Sequence, residues 1–142
     1  MTAQEIFECA MVLMDGLNYR GEADTDENQD YKYKALTLIN LLAQECYLSS
    51  DTYDPGEVGS RPTPEPVEAF SDTVDLDEAI CRNILPYGVA AHLLLAEGNT
   101  AMASFVNQKY QENLQKFKAV PRAGRETELV YGGIEYGADG LL

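Results

Sequence analysis

One histidine, His92, is all the chain holds, and tryptophan is absent. A lone histidine excludes paired-histidine zinc sites and the His-Glu-x-x-His motif within one chain. Cysteine is nearly as scarce: Cys9, Cys46 and Cys81 are odd in number, far apart, and each inside an apolar helical pattern. That pattern predicts free, buried thiols in a reducing compartment rather than a disulfide framework. Long apolar runs are missing too. Val89 to Ala96 is the longest and His92 interrupts it, well short of the ~20 residues that span a bilayer. The opening Met1-Thr2-Ala3-Gln4-Glu5 carries no basic n-region, so neither export nor a membrane location is expected.

Basic residues are also few. The formal charge is −14, with 24 acidic and 10 basic side chains among 142 residues. Residues 1–80 hold 18 acidic and 4 basic side chains, whereas residues 81–142 hold 6 of each. Binding nucleic acid by phosphate neutralisation needs clustered Lys and Arg, so sequence-specific nucleic-acid binding is not expected, and anionic membranes are equally poor partners.

What is present is helical periodicity. Thr2 and Glu5 have capping-box spacing, and Ile6, Ala10, Leu13 and Leu17, flanked by Phe7, Met11 and Met14, predict a helix over 2–17. After a polar loop, Asp30 is placed to cap a second helix over 30–48, with Leu36, Ile39, Leu42, Ala43, Cys46 and Tyr47 as its buried face. These two helices are expected to form an antiparallel pair. Residues 49–74 contain Pro55, Pro62, Pro64 and Pro66 and lack a period, so they either wrap over a neighbouring surface or are mobile.

Asp75 and Glu78 repeat the capping-box spacing at the start of a third helix running to Gly98, with a kink or break at Pro86. A fourth helix succeeds it over 100–118, with Met102, Phe105, Val106, Tyr110, Leu114 and Phe117 on one face. The tail changes character: Glu128-Leu129-Val130-Tyr131 and Ile134-Glu135-Tyr136 flank Gly132-Gly133 as two short β segments. The expected fold is all-α: a bundle of about four helices in residues 1–120, with an irregular loop over 49–74. Residues 121–142 complete the chain as a C-terminal hairpin or extended tail. An isolated hairpin is marginal in water, so it must pack on the helices or pair with another chain.

No chemistry-bearing constellation emerges. Asp24, Asp26 and Asn28 have the 1-3-5 spacing of a calcium loop, yet Gln29 occupies the glycine position and Ala35 that of the bidentate glutamate. A Cys–His pair is formally possible, but His92 lies within Ala90-Ala91-His92-Leu93-Leu94, which reads as a packed or partly exposed helix position. There is no serine elbow, dinucleotide fingerprint or phosphate loop. The expectation is therefore no catalytic residue, metal or cofactor. The nine tyrosines are the more informative excess, because tyrosine pairs a large apolar body with a polar tip and is enriched at protein interfaces.

Two segments bear a family resemblance. Ala79-Ile80, then Ile84-Leu85-Pro86-Tyr87-Gly88-Val89-Ala90-Ala91-His92-Leu93-Leu94-Leu95-Ala96-Glu97, continuing through Phe105-Val106-Asn107-Gln108-Lys109-Tyr110-Gln111-Glu112, resembles the helical core of head-tail connector proteins of tailed phages and prophages. The ending Val130-Tyr131-Gly132-Gly133-Ile134-Glu135-Tyr136-Gly137 is similar to their C-terminal segments. These adaptor, or head-completion, proteins are non-enzymatic. The resemblance implies an all-α subunit forming a homo-oligomeric ring under the portal protein, in contact with tail-side neck proteins. It would be located in the virion neck and, before assembly, in the cytoplasm of the bacterial host. Val130, Tyr131, Gly132, Gly133, Ile134 and Tyr136 become the candidate assembly interface. The alternative expectation is a non-enzymatic morphogenesis or bacterial accessory protein that binds a protein partner as a monomer or dimer.

Overall fold

Thr2 opens the first helix as its spacing to Glu5 predicts: the Glu5 amide donates to Thr2 Oγ1 at 3.2 Å while the Thr2 amide donates to Glu5 Oε1 at 2.9 Å. The computed structural model describes residues 1–119. Among these are five α-helices, α1 (Ala3–Leu13), α2 (Gln29–Cys46), α3 (Glu78–Asn83), α4 (Leu85–Ala96) and α5 (Thr100–Phe117), and no strand. Four of the five run to eleven residues or more. The all-α reading holds for the described part. The hairpin expected at Gly132-Gly133, and with it all six candidate interface residues from Val130 to Tyr136, lies outside the described residues.

Helix ends depart from the sequence reading for definable reasons. α1 stops at Leu13, not Leu17, because Asp15 takes a left-handed conformation (φ 57°). The Gly16 amide then donates to Met11 O at 2.8 Å and the Asp15 amide to Val12 O at 3.1 Å, closing a Schellman cap. Asp30 does not cap α2. That helix begins one residue earlier, from a 3₁₀ turn over Asp26–Asn28, and no side chain caps it. Asn28 instead turns its amide inward, donating to Gly16 O at 2.7 Å and Ala23 O at 2.8 Å.

The Asp75–Glu78 box is not formed either. Asp77 is the cap of α3, its Oδ1 accepting from the Ile80 amide at 2.9 Å, while Asp75 accepts from the Glu65 amide at 3.2 Å. The expected interruption of the third helix is present but falls at Ile84, two residues before Pro86 (φ −122°, ψ −54°). Proline lacks the N–H that would reach Arg82 O and its ring crowds that carbonyl, so the helix restarts with Pro86 in the first turn, where no donor is required.

α4 is the hub. It packs most extensively on α5 and then on α1 and α2, whereas α1 and α2 touch each other far less. The expected α1–α2 pair is thus replaced by two helices that each face α4. The cause is compositional: α4 is apolar around most of its circumference and buries Leu85, Pro86, Gly88, Val89, Ala90, Ala91, Leu93 and Leu94. Such a helix is stable only when surrounded. Glu78–Ala96 is long and apolar enough to cross a membrane, with a mean hydropathy of 1.3, but 61% of that window is buried within the fold.

Gly88 sets how closely the hub is approached. A Cβ there would lie 2.8 Å from Leu42 Cδ1 and 2.9 Å from Tyr110 Cε1, closer than van der Waals contact allows. α5 buries Ala103, Val106 and Tyr110, with Leu114 and Phe117 half-buried. Met102 and Phe105, expected on the same face, are instead exposed.

The proline-containing loop wraps. Its carbonyls at Phe70 and Asp72 accept from the Gln4 and Ala3 amides at 2.9 and 3.0 Å, which satisfies two of the free donors at the start of α1. Val67 and Val74 are buried, and the Phe70 ring meets Phe7 edge-on at 6.0 Å. Asn40 of α2 grips Val67 on both sides, accepting from its amide at 2.9 Å and donating to its carbonyl at 3.0 Å. Ser50, one of two buried polar residues among the described residues, ties the loop ends together: its hydroxyl oxygen accepts from the Asp77 amide at 2.9 Å, and Asp77 Oδ2 accepts from the Asp51 amide at 2.9 Å.

Candidate functional site

An open groove of about 760 Å³ lies between α1, the turn over 21–24 and α3. Cys9, Val12, Leu17 and Ala23 supply apolar floor, and Glu5, Glu8, Glu22, Asp24 and Glu78 supply carboxylates around it. Val12 is 56% exposed and Leu17 38%, so the floor is open to solvent.

Every carboxylate here already accepts a hydrogen bond from the chain. Glu5 belongs to the cap of α1, Glu8 accepts from Gln4 Nε2 at 2.8 Å, and Glu22 accepts from Asn18 Nδ2 at 2.8 Å. Asp24 accepts from Lys32 Nζ at 2.6 Å, from Gln4 at 3.0 Å and from Gln29 at 3.1 Å. The lysine bond above all holds the Asp24 carboxyl below its ordinary pKa. Glu78 takes Arg82 on one oxygen and the N-terminal amine on the other at 3.3 Å, and those bonds likewise lower its pKa.

These carboxylates cap, brace and pair within the fold. Among the described residues no three His, Cys, Asp or Glu side chains are grouped to hold a metal ion. The calcium-like Asp24–Asn28 stretch is closed instead by hydrogen bonds, with Asn28 presenting its amide nitrogen to two carbonyls.

A second hollow, of about 270 Å³, lies between α4 and α5 and is lined by Ala91, His92, Leu95, Thr100, Ala103, Ser104 and Asn107. His92 is exposed there, as a helix-surface histidine. No cysteine lines that hollow. Cys46 and Cys81 are buried and Cys9 half-buried, and all three are free. Burial is the main reason their thiols titrate above the ordinary range, with Cys81 raised to about 11. A protonated thiol is a poor nucleophile, and the buried Cys46 and Cys81 pack as small apolar side chains in the core.

One polar cluster was not legible in the sequence. The Tyr110 hydroxyl donates to Glu45 and lies 3.5 Å from Cys46 Sγ, joining α5 to α2. Burial and the bond to Glu45 push the Tyr110 hydroxyl far above its ordinary pKa. Only the spacing of Val106 and Tyr110 on one face hinted that this tyrosine points inward. It is a structural tie, not an acid.

Apolar side chains also remain outside the core. Leu41 and Leu48 are 63% and 76% exposed, while Leu95 and Phe105 are each 58% exposed. No protein family, curated protein or solved structure matches this chain.

Proposed function

We propose that this protein is a non-enzymatic structural component of a phage or prophage neck: a head-tail connector that docks on a portal protein, forms a ring there, and links capsid to tail. The observation that carries the reading is the pairing of a finished core with surplus apolar surface. Phe7, Ile39, Ile80, Leu85 and Leu93 are fully enclosed, yet Leu41, Leu48, Leu95, Met102 and Phe105 stay outside on an otherwise strongly acidic protein. Exposed apolar side chains on a completed fold are the raw material of protein–protein contact. The groove's carboxylates and the buried thiols, by contrast, are occupied in holding the fold.

The resemblance of residues 76–137 to connector proteins supplies the kind of assembly. Its best segment, Pro86-Tyr87-Gly88 and the apolar run after it, builds the central helix α4 here. Val130, Tyr131, Gly132, Gly133, Ile134 and Tyr136 are the proposed docking residues toward the portal or a neighbouring subunit. Tail-side neck proteins are the further partners, and the virion neck, reached from the host cytoplasm, is the location. The acidic first half suits a ring through which DNA passes, because carboxylates repel phosphate instead of trapping it.

The test is co-expression with a candidate portal protein of a tailed phage, followed by electron microscopy of the purified complex. A ring of this protein seated on the portal is the expected result. A purified portal that never carries it would remove the proposal and leave a monomeric or dimeric accessory protein as the reading.

A further inference from the structure

A helix packed on one side normally gives its outer face to polar residues. α2, extended by a 3₁₀ turn over Tyr47–Ser49, departs from that rule: Tyr33, Leu41 and Leu48 are 77%, 63% and 76% exposed. At about 100° per residue these three fall within one sector roughly 80° wide and span about 22 Å along the axis. They form a stripe. Lys34 and Glu45, both exposed, border it on one side, about 20° apart around the helix. The Tyr110 hydroxyl holds Glu45 in place, and Lys34 takes part in none of the salt bridges among the described residues.

The order of these side chains is nearly the same read from either end. Turned end over end about Asn40–Leu41, α2 brings Tyr33 level with Leu48, Lys34 with Glu45, and Leu41 with itself. When a twofold axis relates two antiparallel helices, like flanks meet. Each Lys34 then faces Glu45 of the other copy, and two ion pairs border the apolar stripe. A parallel pair would instead oppose like charges. The net charge of −14 makes most of this surface repel a second copy. Between Tyr33 and Leu48, however, Lys34 and Glu45 are the only charged side chains and they balance. We propose that this face of α2 docks a second copy of the chain, antiparallel, through Tyr33, Leu41 and Leu48, with Lys34 paired to Glu45 across the twofold. The contact goes beyond the connector reading and does not depend on it, because a twofold contact closes at two copies whereas a ring needs a head-to-tail one.

Sedimentation equilibrium of the full chain over a wide concentration range tests the proposal. A reversible dimer is expected. Leu41→Glu should weaken it at least about tenfold with helix content unchanged. Lys34→Glu should weaken it at least about fivefold, the scale of two exposed ion pairs turned repulsive, and adding Glu45→Lys should restore it. In a Leu41→Cys chain, mild oxidation should give a disulfide-linked dimer that the parent, with Cys9, does not give.

A parent that stays monomeric, or a dimer indifferent to Leu41→Glu, would overturn the proposal. A folded double variant that does not regain the dimer would overturn the antiparallel pairing. If Glu45→Lys lowers helix content, the Leu41→Cys link decides: its formation supports the contact and its absence removes it. A closed ring of more than two copies through another face would remove this contact while leaving the connector reading in place. A chain ending at Arg125 that dimerises where the full chain does not would overturn it in favour of the chain's own C-terminal segment as the cover.

Discussion

Gly88 shows how one absent side chain can decide a packing arrangement. Alanine there gains about 1 kcal/mol in helix propensity. Its methyl group would, however, press on Leu42 and on a Tyr110 ring held in place by Glu45 and Cys46. Overpacking a fitted core costs roughly 1–3 kcal/mol, and here it outweighs propensity. Gly88→Ala should lower the urea midpoint of unfolding even though it favours helix.

Cys81 makes a second prediction at the same scale. Its folded-state pKa of about 11 lies above the ordinary value of 9.0. A thiol with a raised folded pKa contributes stability fully below the unfolded value and loses it as pH rises toward the folded one. Thermal stability should therefore fall between about pH 9 and pH 11, and Cys81→Ala should flatten part of that decline at the cost of a small cavity. An identical alkaline decline in the variant would show that Cys81 is not responsible.

Among the elements, hydrophobic period located all four long helices, because the apolar faces of α1, α2, α4 and α5 repeat strongly enough to survive local competition. Their ends were less legible. Capping residues are ambiguous wherever acids are dense: Asp75 and Asp77, or Asn28 and Asp30, are chemically equal candidates until tertiary contacts claim one of each pair. Partner choice among the helices was also hidden, since a wide apolar stripe says how much is buried but not against what.

The loop over 49–74 has no period, and its order comes from long-range bonds that no local pattern encodes. Asn40 provides the clearest test. Its amide substitutes for a strand neighbour at Val67, and losing two such bonds costs about 1–3 kcal/mol. Because the loss is confined to one latch, Asn40→Ala should make residues 55–66 much more susceptible to limited proteolysis while leaving helix content by circular dichroism nearly unchanged. Equal proteolysis of parent and variant would mean that Phe70 and the α1 contacts hold the loop unaided.

At the scale of the molecule, the described 119 residues already form a continuous core in which α4 is enclosed by its neighbours. The fold class was legible because it depends on composition and period; the exposed apolar side chains were not, because period alone does not fix which helix faces are covered. Met102 and Phe105 share an apolar face with core residues in the sequence and lie outside the core in the structure. Period alone cannot separate a side chain that faces its own core from one that faces a partner.

Division of labour between a self-sufficient helical body and a C-terminal assembly segment is the central claim, and a single comparison tests it. The full chain and a chain ending at Arg125 should be studied side by side by native mass spectrometry with a candidate portal protein, and by circular dichroism alone. The account predicts that the truncated chain keeps its helix content and cooperative melting but no longer forms the multi-subunit complex that the full chain forms. A truncated chain that assembles as well as the full one, or one that fails to fold, would contradict it.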